Sequence, residues 1–375
     1  MVNINPSTNV PNTFNYVDLN SVKGVSLIKV KKINKKEAPS RAQRVAKNGD
    51  IFYQMVRPYQ KNNYLFNKPK TSFPYVFSTG YAQLRSIKTS PSYIFPLLQK
   101  SDFVNKVLAH STGTSYPAIN SRDLGQIKIY LPNELVEQNK IGEIFQKINK
   151  IIELQQRKLE LLKASKKAVL QNIFTDTKRV PTIRFNTFSE NWNQKRLKPF
   201  LIKYNKKTTA NNQYPVLTSS RQGLFFQKDY YDGNQIASKN NIGYNIVPRN
   251  YFTYRHMSDD LIFHFNINTI CDYGIVSTLY PVFTTTSEID SQWLLYYLNH
   301  SVDIKKYALL QKQGGSRTYM YFSKLESLKA HIPALAEQKK ISSLIFKIDE
   351  QIYFQQKKLK YLQKSKRFLL QNMFI

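Results

Sequence analysis

Two long stretches of the chain repeat one spacing of apolar residues, alternately four and three positions apart. The stretches are residues 131–174 and 332–374, and an offset of 200 aligns Glu137 with Glu337 and Gln171 with Gln371. Apart from a proline near its start, neither stretch contains proline, so each is predicted to form one helix of about 40 residues, roughly 60 Å long. A heptad seam of this length is typical of a coiled coil, and the other copy is the nearest partner.

An antiparallel pairing of the two copies leaves no apolar layer unmatched. It faces Ile141 with Met373 and Ile173 with Ile341. Polar residues interrupt both copies at the same heptad positions, which weakens the seam but fixes its register. The predicted seam residues are Ile141, Ile148, Gln155, Leu162 and Lys166 in the first copy, and Ile341, Ile348, Gln355, Leu362 and Lys366 in the second.

The segments that precede the helices alternate short apolar and aromatic runs with turn signals, which predicts strands. A shorter helix is expected at residues 93–111 and at 291–309, and a strand at 127–131 leading into the first long helix. Residues 113–132 match 314–333 at an offset of 201, so the chain is a duplication. The fold class is therefore α+β: two β-rich mixed domains and two long helices paired as an antiparallel coiled coil, in a pseudo-twofold internal repeat.

This duplication predicts four parts with one asymmetry. The parts are residues 1–130, 131–176, 177–331 and 332–375. The segment 180–200 leads into the second β-rich domain, and the offset places its counterpart before Met1. We therefore expect the first domain to lack this lead-in segment or to obtain it from elsewhere.

The chain is strongly basic, with a formal net charge of +32, and most of the excess lies outside the long helices, where Tyr and Phe are dense. Basic surface interleaved with aromatic residues favours a polyanionic partner. We find no apolar run of 18 residues and no signal peptide, and one cysteine, Cys271, excludes an internal disulfide framework. These features predict a cytoplasmic protein.

Motifs of the common enzyme classes are missing from the sequence. It has no GxxxxGK[ST] phosphate loop, no HExxH, no GxSxG elbow, and no histidine spacing typical of metal ligands. Glu337-Gln338-Lys339 has the ExK form of a nuclease site, but it lies at a helix start, where the helix dipole favours glutamate. We therefore predict a binding protein with no catalytic residues and no metal.

Candidate nucleic-acid contacts are basic or polar side chains in turns of the two β-rich domains. Arginine can grip guanine edges, serine can bond bases or phosphates, and lysine mostly contacts phosphate. The candidates are Arg41, Arg44, Arg57 and Lys61 in the first domain, and Ser219, Ser220, Arg221, Lys239, Arg317 and Tyr319 in the second.

The whole plan resembles the specificity (S) subunit of Type I restriction-modification systems. The resemblance rests on PxLxEQxKI from Pro333 to Ile341, with a version one residue longer from Pro132 to Ile141. It rests also on the endings LQNIF and LQNMF and on RFNTFSENWNQKRL at residues 184–197, and it covers nearly the full chain.

The resemblance implies a non-catalytic DNA-binding subunit. Each β-rich domain would be a target-recognition domain that reads half of a split sequence in double-stranded DNA. The paired helices would act as spacer and as docking surface for two methyltransferase subunits and, where restriction accompanies methylation, two restriction subunits. S-adenosylmethionine, ATP and Mg would then belong to those partners, with no cofactor in this chain and no membrane contact.

Two other interpretations stay open from the sequence. The chain could be the specificity partner of a methylation-only system. It could also be a coiled-coil structural or RNA-associated protein whose basic domains bind polyanions without sequence preference; DNA binding that ignores sequence would favour this second interpretation.

Overall fold

The computed structural model describes residues 1–68, 73–174, 180–233, 240–312 and 316–374, and the chain divides into two compact units. Unit 1 comprises Met1–Glu160 with Phe354–Ile375, and unit 2 comprises Leu161–Tyr353. Each long helix therefore contributes one part to each unit. The predicted division into four parts at residues 130, 176 and 331 stays a prediction.

Unit 1 is built from two four-stranded sheets and a short hairpin. Its strands are β1 (Val2–Ile4), β2 (Thr13–Val17), β3 (Val22–Lys23), β4 (Ser26–Leu27), β5 (Lys31–Asn34), β6 (Ala42–Val45), β7 (Ile51–Gln54), β8 (Tyr64–Leu65), β9 (Tyr75–Ser78) and β10 (Tyr81–Arg85). One sheet has the antiparallel order β1-β10-β7-β8; the other has the order β5-β2-β9-β6, in which β2 and β9 are parallel. The helices are α1 (Pro91–Leu97), α2 (Ser101–Ala109), α3 (Ser121–Gln126) and the long α4 (Leu135–Asn172), of which residues 135–160 lie in this unit.

Unit 2 repeats one of these sheets and replaces the other with two-stranded pairs. Its strands are β11 (Asn193–Arg196), β12 (Leu201–Lys203), β13 (Leu217–Ser220), β14 (Gly223–Phe226), β15 (Asn245–Pro248), β16 (Phe252–Tyr254), β17 (Met257–Ser258), β18 (Phe265–Ile267), β19 (Tyr273–Val276), β20 (Val282–Thr285), β21 (Thr318–Tyr319) and β22 (Lys329–Ile332). The sheet β12-β20-β16-β18 corresponds to β1-β10-β7-β8. The helices are α5 (Gln227–Tyr230), α6 (Ser291–His300), α7 (Val302–Leu310), α8 (Phe322–Ser327) and α9 (Leu335–Asn372), whose residues 354–372 belong to unit 1. None of the helices in the described ranges is both long and apolar enough to cross a membrane.

The two long helices pair in antiparallel fashion within each unit, which confirms that part of the predicted fold. In unit 1 the start of α4 meets the end of α9: the ring centroids of Phe145 and Phe374 lie 5.3 Å apart. In unit 2 the reverse ends meet, since Ile173 and Ile341 share one buried cluster. The ten seam residues predicted from the heptads are all buried or half-buried.

A polar contact interrupts the apolar seam in unit 1. The amide of Gln355 is buried and donates to the backbone carbonyl oxygen of Gln155 over 3.0 Å and to the side-chain oxygen of the same residue. A slip of the helices would leave this buried amide without its acceptor. The pair therefore holds the register.

A repeated glutamine explains part of the PxLxEQ motif. The side chain of Gln138 accepts a hydrogen bond from the backbone N–H of Ser90 over 2.9 Å and donates to the carbonyl of Pro132 over 2.8 Å. Gln338 makes the same two bonds in unit 2, to Asp290 (2.8 Å) and Pro333 (2.9 Å). This buried side chain joins the start of α4 to the start of α1 in unit 1, and the start of α9 to the start of α6 in unit 2.

The strand predicted at residues 127–131 does not form. Its repeat counterpart, β22, forms because β11 pairs with it antiparallel, with Asn193 opposite Ile332. The corresponding stretch of unit 1 has no paired strand among the described residues, and Tyr130 is 75% exposed. A strand needs a neighbour to satisfy its backbone groups, so the apolar pattern alone was insufficient. The single helices expected at 93–111 and 291–309 are likewise each divided into two, α1 with α2 and α6 with α7.

The lead-in segment of unit 2 also supplies a buried ion pair. Arg184 grips Glu337 with two hydrogen bonds, from Nε to Oε1 (2.8 Å) and from a terminal nitrogen to Oε2 (2.9 Å). Glu337 is 1% exposed, whereas its repeat counterpart Glu137 is exposed. The sequence alone indicates only a helix-dipole role for Glu337, because Arg184 lies 153 positions away along the chain.

We expect the matched substitutions Glu337→Gln and Glu137→Gln to differ sharply. Glu337→Gln leaves the half-buried Arg184 cation without its counterion and should destabilise unit 2 by about 3 kcal/mol. Glu137→Gln, at an exposed position, should change stability by less than about 0.5 kcal/mol. Urea unfolding, followed by hydrogen exchange in each unit, measures both. Equal effects would contradict the structural role of the Arg184 pair.

Candidate nucleic-acid interface

A cavity of about 570 Å³ opens on unit 1 and gathers residues from five separate parts of the chain. Two arginines and two tyrosines contribute to its lining, together with amide side chains. The lining includes Tyr16, Asn20, Arg41, Arg57, Gln60 and Tyr116. This combination of guanidinium, amide and aromatic groups can contact phosphates, base edges and base faces.

Arg57 is held in place by its backbone and by an aromatic ring. Its φ of 55° is left-handed, its N–H donates to the carbonyl of Pro117 over 2.8 Å, and Pro58 begins the short 3-10 turn that follows. The guanidinium carbon lies 4.1 Å from the centroid of the Tyr116 ring. Stacking of this kind orients the planar group and leaves its N–H edges available to a ligand.

Arg41 lies beside Arg57 in this cavity, but two other candidates of the first domain lie elsewhere. Arg44 is only 3% exposed and donates to the carbonyl of Ile4 over 2.6 Å; burial lowers its pKa. It points inward because alternate residues of β6 face the core. Lys61 lines a separate cavity of unit 1 and donates to the carbonyl of Gln99 over 3.0 Å. Arg44 is therefore not part of the candidate interface.

A smaller cavity of about 220 Å³ opens on unit 2 beside the β13–β14 hairpin. Ser219, Ser220 and Arg221 all line it. The amide of Asn266 donates to the hydroxyl of Ser219 over 2.8 Å and to the carbonyl of Ser220 over 2.9 Å, which fixes the hairpin. Sequence reasoning placed these three residues in one turn, and the structure brings them to one cavity.

Carboxylates neutralise the arginines at this second cavity. Arg221 donates to Asp260 over 2.6 Å, and Arg317 donates to Asp259 over 3.0 Å. Asp259 belongs to the cavity lining, and the bond from Arg221 lowers the pKa of Asp260, so that carboxylate stays ionised at neutral pH. An incoming phosphate would compete with these exposed carboxylates for the two arginines.

The remaining candidates of unit 2 have different surroundings. Tyr319 stacks on Tyr321, with ring centroids 5.6 Å apart, and lies 6.0 Å from the ring of His256. Lys239 lies outside the described residues. His264, which was not among the sequence-based candidates, also lines the cavity.

The histidines near this cavity are neutral at physiological pH. Burial is the main cause that lowers the pKa of both His256 and His264, and nearby arginines, Arg255 and Arg221 respectively, lower it further. A neutral imidazole both donates and accepts hydrogen bonds, which suits contact with base edges. No sequence signal marked them, because their environment depends on residues far apart in the chain.

The side chains that line the two cavities can bind and orient a ligand. In the described parts of the chain, no group of three or more His, Cys, Asp or Glu side chains is arranged to hold a metal ion. Arginines, tyrosines, serines and amides make up the candidate groups.

Comparison with known proteins points to one family. Residues 5–164 match the family described as Type I restriction modification DNA specificity domain. The Type I restriction enzyme MjaVIII specificity subunit of Methanocaldococcus jannaschii is 22% identical over 309 residues, which is 74% of this chain and 68% of that protein.

Solved structures share the fold. The S subunit of a Type I restriction-modification system from M. genitalium matches with a TM-score of 0.56 and 12% identity, over 96% of this chain and 88% of that one. A chain from a structure of complex assembly and conformational transition in the type I R-M system matches with a TM-score of 0.50 and 19% identity, over 98% and 91%. Together with the repeated helix motifs, these matches show that the chain is similar to the specificity subunits of Type I restriction-modification systems.

Proposed function

We propose that this chain reads a two-part DNA target, with one half-site for each unit, as the specificity subunit of a Type I restriction-modification complex. The family contributes DNA recognition and not catalysis, so the chain is a non-catalytic subunit. The observation that carries the proposal is the repeated sheet, β1-β10-β7-β8 and β12-β20-β16-β18, together with a different arginine-lined cavity in each unit.

The difference between the cavities favours unlike half-sites. Unit 1 offers Arg57, stacked and free of carboxylate partners in the described contacts, beside Arg41 and Tyr116. Unit 2 offers serine hydroxyls, neutral imidazole and an arginine that is paired with a carboxylate. Different hydrogen-bonding groups read different base edges, so the target should be asymmetric.

Both long helices carry a second apolar stripe that supports docking of partner subunits. The stripe falls at one heptad position outside the seam, and its members are 51–68% exposed: Leu154 and Leu161 on α4, and Phe354, Tyr361 and Phe368 on α9. An offset of 200 relates Leu154 to Phe354 and Leu161 to Tyr361, so the repeat presents similar stripes twice. Two copies of one methyltransferase subunit would find two similar surfaces.

The complex would work in the cytoplasm and take its cofactors from other chains. We propose that S-adenosylmethionine belongs to the methyltransferase subunits, and ATP and Mg to restriction subunits where these are present. Methyl transfer at two sites of one target would follow from two docked methyltransferase subunits.

Adenine methylation maps the proposed target directly. We expect co-expression with a Type I methyltransferase subunit to produce methylation at a split motif, detected by long-read sequencing. Replacing residues 1–112 or 201–313 with the segment of a relative should each change one half of the motif and leave the other. If every swap altered both halves, the assignment of one half-site to each unit would be wrong.

Charge on the apolar stripe should block docking without unfolding the chain. Leu161→Lys and Tyr361→Lys place charges at positions that are 59% and 68% exposed. We expect each variant to keep its unfolding midpoint and to lose co-purification with the methyltransferase subunit, since a buried unpaired charge in an interface costs about 2–5 kcal/mol. The neighbouring exposed Lys360→Ala serves as control and should retain binding.

Removing the carboxylate that holds Arg221 should strengthen DNA binding. In Asp260→Asn the freed guanidinium can neutralise a phosphate, so the salt slope of log Kd for a duplex should steepen by about one. Asp272→Asn, which releases the equally exposed Arg249 outside the cavity lining, is the matched control and should leave the slope unchanged. Equal changes in both variants would show a general charge effect instead.

A further inference from the structure

A second cavity of unit 1, also about 570 Å³, concentrates positive charge against the end of α9. Five cations line it: Lys23, Lys61, Lys100, Lys366 and Arg367. None of the described residues in its lining is Asp or Glu, and glutamine and serine side chains supply the other polar groups. The cavity is therefore a surface for an anion with several acceptor atoms.

Two of these lysines are positioned mainly by neutral partners. Lys61 donates to the carbonyl of Gln99 over 3.0 Å and to the hydroxyl of Ser101 over 3.3 Å. Lys100 donates to the carbonyl of Phe374 over 3.0 Å and also forms a salt bridge of 3.4 Å with the exposed Asp102. Carbonyl and hydroxyl oxygens fix the direction of an ammonium group without cancelling its charge.

Lys366 lacks a counterion within the described part of the chain. Burial lowers its pKa, and burial together with Arg367 lowers the pKa of Lys61. Glu153 and Glu160 border the adjoining cavity, but Glu153 pairs with Lys150 over 3.3 Å and neither carboxylate is within 4.0 Å of the Lys366 ammonium. An anion bound at this place would relieve the cost of keeping these cations partly buried.

The internal repeat shows the same place in a neutralised form. In unit 2, Lys166, the counterpart of Lys366, pairs with Asp349 over 2.5 Å, and the hydroxyl of Tyr296 donates to the same carboxylate over 3.1 Å. At an offset of 200, Asp349 corresponds to Asn149, whose side-chain oxygen is buried without a hydrogen-bond partner among the described residues.

A second difference between the two copies of the repeat also makes this place more positive in unit 1. Lys100 corresponds to His300, and burial, with Lys166 next in importance, lowers the pKa of His300 to about 4, so that ring is neutral at physiological pH. One copy of the repeat has a lysine, a carboxylate and a neutral histidine at this place. The other has two lysines and an amide. The duplication has thus kept the scaffold and opened an anion site in unit 1.

We propose that this cavity binds a phosphate group, held by Lys61, Lys100, Lys366 and Arg367. Phosphate offers up to two negative charges and several acceptor oxygens, which matches a lining with many cations and further N–H and O–H donors. Lys23 lines both this cavity and the one around Arg57, so a phosphate of the bound duplex backbone can reach it. A free phosphate compound offers the same chemistry.

The substitution Asn149→Asp tests the site without removing any packing. It recreates in unit 1 the carboxylate that neutralises Lys166 in unit 2, so the internal ion pair should occupy Lys366. Calorimetry on the full chain should show pyrophosphate binding in the wild type and at least about tenfold weaker binding in Asn149→Asp, equivalent to one charge-assisted contact. Asn139→Asp, an exposed position on the same helix, is the matched control and should keep the wild-type affinity.

Salt titration with duplex DNA separates the two sources of phosphate. A salt slope that is shallower by about one in Asn149→Asp, with no such change in Asn139→Asp, assigns the cavity to the DNA backbone. An unchanged slope with weakened pyrophosphate binding assigns it to a free phosphate compound. Two results would overturn the proposal. In the first, the wild type binds no pyrophosphate and the salt slope of its duplex binding equals that of Asn149→Asp. In the second, an acidic peptide binds the wild type and pyrophosphate does not displace it. The duplex measurement rests on the proposed function, but the pyrophosphate measurement does not. A normal methylation motif with a failed phosphate test would reject this site alone.

Discussion

The structure depends on a reciprocal exchange of helix ends between the two halves of the repeat. Phe174, just beyond α4, packs in the core of unit 2, with its ring 6.4 Å from that of Trp293 and 5.7 Å from that of Tyr297. Phe374, just beyond α9, packs in the core of unit 1, 5.1 Å from Tyr93 and 5.3 Å from Phe145. Each copy of the repeat therefore completes the core of the unit that the other copy begins. Burying one such aromatic ring contributes about 1.5–3 kcal/mol, and this explains why both helices end in QNxF.

Much of this arrangement could be predicted because the sequence contains it in two copies. The heptad spacing predicted the long helices and their antiparallel pairing. In the structure, a hydrogen bond from Gln355 to Gln155 holds the register. The prediction of a strand at residues 127–131 was wrong although this stretch has the same apolar pattern as β22. The strand β22 forms because β11 pairs with it, and the described residues of unit 1 contain no counterpart of β11 beside residues 127–131. Periodicity reports which face is apolar, and pairing depends on a partner that periodicity does not identify.

The candidate site was less predictable, because side-chain environment is set by residues far apart in the chain. Nothing in the sequence distinguishes Arg57 from other loop arginines, whereas in the structure its guanidinium group lies over the Tyr116 ring. Arg44 carried the same signal in sequence and is buried against Ile4. The ion pair of Arg184 with Glu337 joins residues 153 positions apart. Charge composition predicts a polyanionic partner, but it does not separate cations that face a ligand from cations that stabilise the fold.

The exchange of helix ends also sets the order in which the two units can mature during synthesis. Unit 2 is one continuous segment, so every residue of it is available once residue 353 has left the ribosome. Unit 1 begins with the first residue but needs Phe374, next to the last, to close its core. Domains usually fold in the order of their synthesis. Here the half that is made first must wait for the final turns of α9, so a chain that stops early loses the beginning of the molecule as well as its end.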